Sequence, residues 1–382
     1  MSNYFLNYDK KDCNGCGVCA LKCPQKAISM EEDSEGFLYP VINREKCIKC
    51  KLCERICPNR NYPYNKKTKT YIAINKDNNQ LNNSSSGGCF FPIANYIIAQ
   101  NGVVYGVRYN EELKAIHDYA ENLEELRQFQ GSKYVRSDLN NSYNGVKKFL
   151  LEGRYVLFTG TPCQCQGLRT YLGKEYDKLY TCEIICHANS SPKIFDLYKK
   201  NLENRKQKKI INIKFRSKSN GWKNQKTIIS FEDGTEEEEI SYYMGFVNEL
   251  FNRPSCHNCQ FCSANRLSDF TIGDAWGINE FDPSIKDYDT GISLFCINTQ
   301  KGMDLKDYLD KKLFLKETDT NNAFKHNHYQ NVLEHKKRSE FFKRISNGEI
   351  NEKNIISSIN EYTKVGFIKK CFNKIKCIIK KI

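Results

Sequence analysis

From residue 70 onward the apolar residues follow two rhythms, one of period two and one of helical spacing. Residues 70–74 alternate as a half-buried strand, and residues 102–109 read as a second strand. Between them, residues 90–99 are apolar enough for a buried helix. Shorter helices are predicted over 123–129 and 143–151, then a buried strand over 154–158 that ends at Gly160. Helical spacing returns over 193–200. Residues 211–215 and 227–231 read as antiparallel strands, the second running into a turn at Glu232-Asp233-Gly234. Further strands are predicted over 270–273 and 291–297. Strand and helix signals thus intermix over residues 70–330, which predicts a mixed α/β domain. No GxGxxG follows an early strand, so this is not a dinucleotide-binding Rossmann domain.

Residues 1–60 have a different pattern. Two short strands, over 27–30 and 37–41, flank a polar turn at Glu35-Gly36, and little else is apolar. Around them stand two copies of one cysteine run, CNGCGVCALKCP at 13–24 and CIKCKLCERICP at 47–58, offset by 34 residues. Each run places three thiols at i, i+3 and i+6, and its fourth cysteine, followed by proline, serves the other cluster. One [4Fe–4S] cluster is therefore assigned to Cys13, Cys16, Cys19 and Cys57, the other to Cys47, Cys50, Cys53 and Cys23. CxxC pairs also bind zinc or form disulfides, but two complete runs with CP endings favour clusters. The expected fold class is α+β, with an N-terminal bacterial-ferredoxin-like domain (1–60) whose clusters supply much of its folding energy. Residues 61–69 are read as a polar linker, 70–330 as the large domain, and 331–382 as a helical C-terminal extension.

Composition supports an intracellular redox protein. The 19 cysteines in 382 residues are too dilute for a small disulfide scaffold, and thiolate-ligated clusters call for a reducing compartment. The opening MSNYFLNYDKKD has no apolar signal segment and no stretch approaches a membrane span, so a cytoplasmic location is expected. The net charge of +14 would suit nucleic acid, anionic lipid or an acidic protein. No nucleic-acid-reading motif accompanies it, so nucleic acid is not expected as a partner.

Four features of the large domain carry candidate chemistry. NNSSSGG at 82–88 precedes the apolar helix and could offer backbone amides to a phosphate, or be a flexible loop. TGTPCQCQGL at 159–168 presents cysteine just beyond a glycine turn. Ile185-Cys186-His187 ends a strand-like segment before a helix start at Ser190-Ser191-Pro192. CHNCQFC at 256–262 adds three cysteines at metal-ligand spacing, with zinc and His257 left open as an alternative. No complete four-cysteine run occurs here, so a third site must gather ligands from separate segments.

Taken in order, these segments resemble the family of coenzyme F420 hydrogenase/dehydrogenase beta subunits. The matching marks are SSSGG (84–88), SKYVRSD (132–138), FTGTPCQCQGL (158–168), ICHANSSPKIF (185–195), FRSKSNGW (215–222), CHNCQF (256–261) and SDFTIGDAWG (268–277). The resemblance implies a flavin, FAD ahead of FMN, in a mixed α/β domain of that type, with a third [4Fe–4S] cluster beside it. It carries that cluster over to Cys163, Cys186, Cys256 and Cys259. Cys262 is a fallback ligand, and Cys165 and Cys182 are spare thiols. Flavin contacts are implied at Ser85, Ser86, Gly87, Gly88, Lys133, Tyr134, Ser137 and Thr161, with Asp274 and Trp276 shaping the site. Relatives often have glutamine at the place of Arg136 and glycine at that of Ala188. Arg136 is thus expected near the flavin, stabilising its reduced anion or binding a substrate acid, or else as a solvated surface arginine.

The combination implies an iron–sulfur flavoprotein oxidoreductase that exchanges electrons between ferredoxin and a small-molecule substrate of unknown identity. Deazaflavin coenzyme F420 chemistry, or a non-catalytic electron-transfer subunit feeding a partner enzyme, are the alternatives. A separate expectation concerns residues 366–382, GFIKKCFNKIKCIIKKI. Ile368, Phe372, Ile375, Ile379 and Ile382 share one helical stripe amid lysines, which suits an anionic membrane surface or docking on the chain's own domain.

Overall fold

A computed structural model describes residues 9–59, 68–286, 288–327 and 330–363. Most of the expected linker and the whole 366–382 segment lie outside the described residues. Thirteen strands occur in chain order among them. They are β1 (Ile28–Glu32), β2 (Leu38–Ile42), β3 (Lys69–Asn75), β4 (Val103–Tyr109), β5 (Ala115–Ala120), β6 (Val156–Gly160) and β7 (Leu179–Ile184). The rest are β8 (Ile210–Ser217), β9 (Lys226–Phe231), β10 (Glu236–Glu238), β11 (Phe270–Asp274), β12 (Ser293–Ile297) and β13 (Leu313–Thr318).

Eight of them form the central sheet, in the order β13-β3-β12-β11-β7-β6-β4-β5. Four adjacent strands, β11, β7, β6 and β4, are parallel neighbours, and antiparallel strands complete both edges. Burial on both faces explains why the parallel strands read as continuous apolar runs. Val104, Leu157 and Tyr180 face one core with the helix Phe90–Ala99, while Val103, Val156, Phe158 and Leu179 face another beneath the helices Ser142–Leu151 and Pro162–Leu172. Helices therefore cover both faces, as parallel strands require.

Between β7 and β11 the chain inserts the helix Pro192–Lys206, the three-stranded sheet β10-β9-β8 and the helix Ser241–Val247. The helices Arg338–Ser346 and Ile355–Thr363 return to this insert. Phe341, Ile345, Ile355 and Ile359 join Tyr242, Phe246 and Phe251 in one core. The described part of the expected extension is thus a wall of the large domain, because its apolar stripe has a core to fill.

The N-terminal module repeats its own geometry. The short helices Val18–Leu21 and Leu52–Arg55 are offset by the same 34 residues as the cysteine runs. The left-handed Gly15 and Gly17 of the first run correspond to the left-handed Lys49 and Lys51 of the second. A side chain in that conformation is costly, so the turn that wraps the thiols is imposed even where glycine is lacking.

This module is bolted to the large domain. Gly36 sits so close to the helix Pro192–Lys206 that an added Cβ would lie 2.4 Å from Lys193 Cβ. Arg338 forms a bidentate pair with Glu35, and Ser191 Oγ donates to the Glu35 carbonyl at 2.5 Å. Arg253, fully buried, donates from Nε to the Cys13 carbonyl (2.8 Å) and from Nη2 to the Leu38 carbonyl (3.0 Å).

Candidate redox site

The carboxyl ends of β3, β6, β7 and β11 point to one side of the sheet, where a ligand crevice is expected in an open α/β fold. A cavity of about 360 Å³ opens there. Its walls come from the SSSGG loop after β3, from Thr159–Gln164 after β6, from Ile184–Asn189 after β7, and from Ile272–Trp276 at β11. Of the residues expected at a flavin, Ser85, Ser86, Gly88, Lys133, Tyr134, Ser137, Thr161, Asp274 and Trp276 line this cavity.

Two expected contacts stand elsewhere. Gly87 is turned into the sheet, where its N–H donates to Ser293 Oγ (2.9 Å) and its carbonyl accepts from Asn75 N (2.7 Å). An added Cβ would lie 2.3 Å from the Ala73 carbonyl, so glycine is needed for close approach. Arg136 points away from the cavity, with Nη1 3.7 Å from Cys163 Sγ and Nη2 donating to the Gly15 carbonyl at 3.1 Å.

The serines of the loop are also engaged. Ser85 Oγ accepts from Ser132 N, and Ser86 Oγ donates to the Ile292 carbonyl. Lys218 Nζ donates to the Leu81, Ser86 and Thr290 carbonyls, and partial burial lowers its ammonium to about 8. What remains open to the cavity is the first turn of the helix Phe90–Ala99, which has no side-chain cap; Gly88, Cys89, Phe90 and Phe91 line the space. A rigid loop leading into an uncapped helix N-terminus is an anion-binding arrangement.

On the opposite wall Asp274 organises a group that sequence reasoning missed. It accepts from Arg216 Nη1 (2.5 Å) and Nη2 (2.8 Å), and from Trp222 Nε1 (3.1 Å). Trp276 stacks on Trp222 with centroids 4.7 Å apart and lies 5.5 Å from the Arg216 guanidinium. The FRSKSNGW segment was the available signal, yet only the pairing geometry singles out Arg216. Tyr134 adds an aromatic wall against Phe215, Tyr243 and Phe246. Lys133 donates to the Gln128 and Gln130 carbonyls, and burial pulls it down to about 7.

A polar chain runs back from the cavity wall. Gln164 Nε2 donates to Ser137 Oγ (2.9 Å), which faces His117 Nδ1 (3.1 Å), while His117 Nε2 meets the Thr159 carbonyl (3.1 Å). A carbonyl can only accept, so the proton is on Nε2 and Ser137 donates to Nδ1. Burial holds His117 down at about 4, hence neutral. Gln164 is also the third residue of a capping box with Thr161 that starts the helix Pro162–Leu172. That T-x-x-Q signature could have revealed this helix from sequence.

Cys163, Cys186, Cys256 and Cys259, from three separate segments, border one small cavity with Cys262 and His187. Burial and the neighbouring thiols Cys256, Cys163 and Cys259 push Cys186 well up, and burial pushes Cys256 up to about 11. Cys259 is raised by burial and then by Cys163 and Cys256, with Cys262 the weakest contributor. Asn189 N donates to Cys256 Sγ at 3.3 Å. In the module, burial raises Cys16 to about 12, with Cys57, Cys13 and Cys163 adding to it, and raises Cys19, with Cys16, Cys13 and Cys57 adding. Among the described residues no three His, Cys, Asp or Glu side chains converge as a single bound ion requires. The fit to clusters rests instead on donor chemistry: cysteines brought together from separate segments, which a cationic iron core would hold as thiolates.

Cys50 is exposed, Cys16 and Cys163 interact, and the Cys186–Asn189 segment borders both the inner thiol set and the main cavity.

Residues 153–323 match the family described as the C terminus of the coenzyme F420 hydrogenase/dehydrogenase beta subunit, and residues 12–61 match the "4Fe-4S dicluster domain". No curated protein matches. Among solved structures, a chain in "Xenon derivatization of the F420-reducing [NiFe] hydrogenase complex from Methanosarcina barkeri" has 16% identity and a TM-score of 0.44, covering 78% of this chain and 92% of that one. No helix among the described residues is long and apolar enough to cross a membrane.

Proposed function

We propose that the chain, whose residues 153–323 match the C terminus of the coenzyme F420 hydrogenase/dehydrogenase beta subunit and whose residues 12–61 match a 4Fe-4S dicluster domain, is a ferredoxin-linked flavin oxidoreductase of that family. It is an iron–sulfur electron-transfer protein. The finer reading adds a third cluster on Cys163, Cys186, Cys256 and Cys259, and FAD in the main cavity.

The observation that carries this reading is the shared wall. Cys186, His187, Ala188 and Asn189 border both the inner thiol set and the main cavity, so a one-electron centre and a two-electron cofactor would be separated by one segment. A flavin there would supply the conversion between single-electron and hydride chemistry. The chain's own groups fit such a ligand. The uncapped helix N-terminus suits a phosphate, and Trp276 and Tyr134 offer aromatic walls. An adjoining cavity of about 590 Å³, bordered by Arg108, Arg127, Lys133, Lys214 and Arg216 and by no carboxylate, suits the diphosphate arm of a dinucleotide. That arm favours FAD over FMN.

At the other end Cys50 is exposed beside exposed Lys46, Lys49 and Lys51, a basic rim that would steer an acidic ferredoxin to the outer cluster. Coenzyme F420 is the narrower choice of substrate, and a subunit that only feeds a partner enzyme is the second class of reading. The test is anaerobic reduction of the bound flavin by reduced ferredoxin, followed by flavin bleaching. Rapid bleaching in the native chain and its loss in Cys163→Ser are expected. Equal rates in both would overturn the route.

A further inference from the structure

Among the described residues Arg136 makes no ion pair with a carboxylate, although it is half-buried where the large domain meets the module. Its contacts are instead the Gly15 carbonyl, inside the first cysteine run, and Cys163 Sγ. A partly desolvated cation without a counter-charge is costly, so the arrangement calls for negative charge on both sides of it.

We infer that Arg136 is the shared counter-cation of two facing clusters, the Cys13/Cys16/Cys19/Cys57 cluster and the Cys163/Cys186/Cys256/Cys259 cluster. This rests on the cluster assignments proposed above. It also gives Arg136 a place different from the flavin contact expected from sequence. Reduction adds one negative charge to a cluster, and a nearby cation stabilises that state and raises the potential. Because both clusters face the same guanidinium, an electron leaving the first and arriving at the second keeps its interaction with Arg136. The residue therefore raises both potentials without opposing the step between them. It acts as a positioning residue, through charge.

The experiment is an EPR-monitored redox titration of the anaerobically purified full chain and of Arg136→Gln and Arg136→Lys, after iron analysis of each. Iron content of the native chain tests the cluster assignment separately: about eight irons rather than twelve would remove the inner cluster and leave the Arg136 inference without its second site. With all clusters present, Arg136→Gln is expected to lower the reduced-to-oxidised ratio of both facing clusters about tenfold at a fixed potential, or about 59 mV for one electron. The cluster on Cys47, Cys50, Cys53 and Cys23 should shift far less. Arg136→Lys should keep most of the native potentials. Unchanged facing potentials in Arg136→Gln, or an equal shift of all three clusters, would overturn the inference. Should Arg136→Gln fail to retain iron, Arg136→Lys decides: native-like potentials support the charge role, and a tenfold shift with full iron contradicts it.

Discussion

Replacing Arg253 should loosen the electron-carrying module from the domain it serves. The guanidinium is 1% exposed, donates to carbonyls of Cys13 and Leu38 at 2.8 and 3.0 Å, and lies 4.1 Å from the Tyr39 ring centroid. Hydrogen bonds from a charged donor contribute about 1.5–3 kcal/mol each, and a desolvated cation–π contact about 2 kcal/mol. These contributions overlap, so Arg253→Ala is expected to cost about 3–5 kcal/mol of module docking. Lysine keeps the charge but cannot span two carbonyls, so Arg253→Lys should recover about half. The assay is urea unfolding followed at once by cluster absorbance and by far-ultraviolet circular dichroism. Native protein should lose both signals together, whereas Arg253→Ala should lose cluster absorbance at lower urea. Coincident transitions with a stability change under about 1 kcal/mol would refute the reasoning.

Other substitutions test the cavity and the inner thiols. Gly87→Ala forces a methyl against the Ala73 carbonyl and should cost about 1–3 kcal/mol while lowering flavin content after purification. Asp274→Asn breaks the buried pair with Arg216, at about 3 kcal/mol, and should release flavin on gel filtration. Cys259→Ser should remove about four irons per chain, whereas Cys262→Ser should retain them, by iron analysis. His117 is held at about 4 against an ordinary 6.5, so the unfolded chain binds more protons between those values and stability falls as pH drops through that window. The loss from pH 7 to 5 should be about 2 kcal/mol by urea midpoints and should disappear in His117→Gln.

Legibility from sequence followed the physical origin of each signal. The cysteine runs were readable because ligand spacing is local, and the module's internal repeat extends to its backbone turns. The helix Phe90–Ala99 and strands such as β9 were readable from apolar rhythm. β5 was not, since Ala115–Ala120 carries His117 and Asp118 and owes its state to pairing with β4. The helix Pro192–Lys206 runs beyond its apolar stripe, through Asn, Glu, Arg and Lys, to a left-handed Gln207. Most loop residues singled out in the sequence border one cavity because their segments are contiguous. Gly87 and Arg136 were misdirected because sequence cannot say which way a loop residue turns. Arg216 and Arg253 went unread because their partners lie 58 and 240 residues away.

The central claim is tested most directly by iron and flavin stoichiometry of the anaerobically purified chain. About twelve irons and one FAD per chain are expected from three [4Fe–4S] clusters and one occupied cavity. About eight irons and no flavin, persisting after reconstitution with iron, sulfide and FAD, would contradict it and leave only the module as a redox carrier.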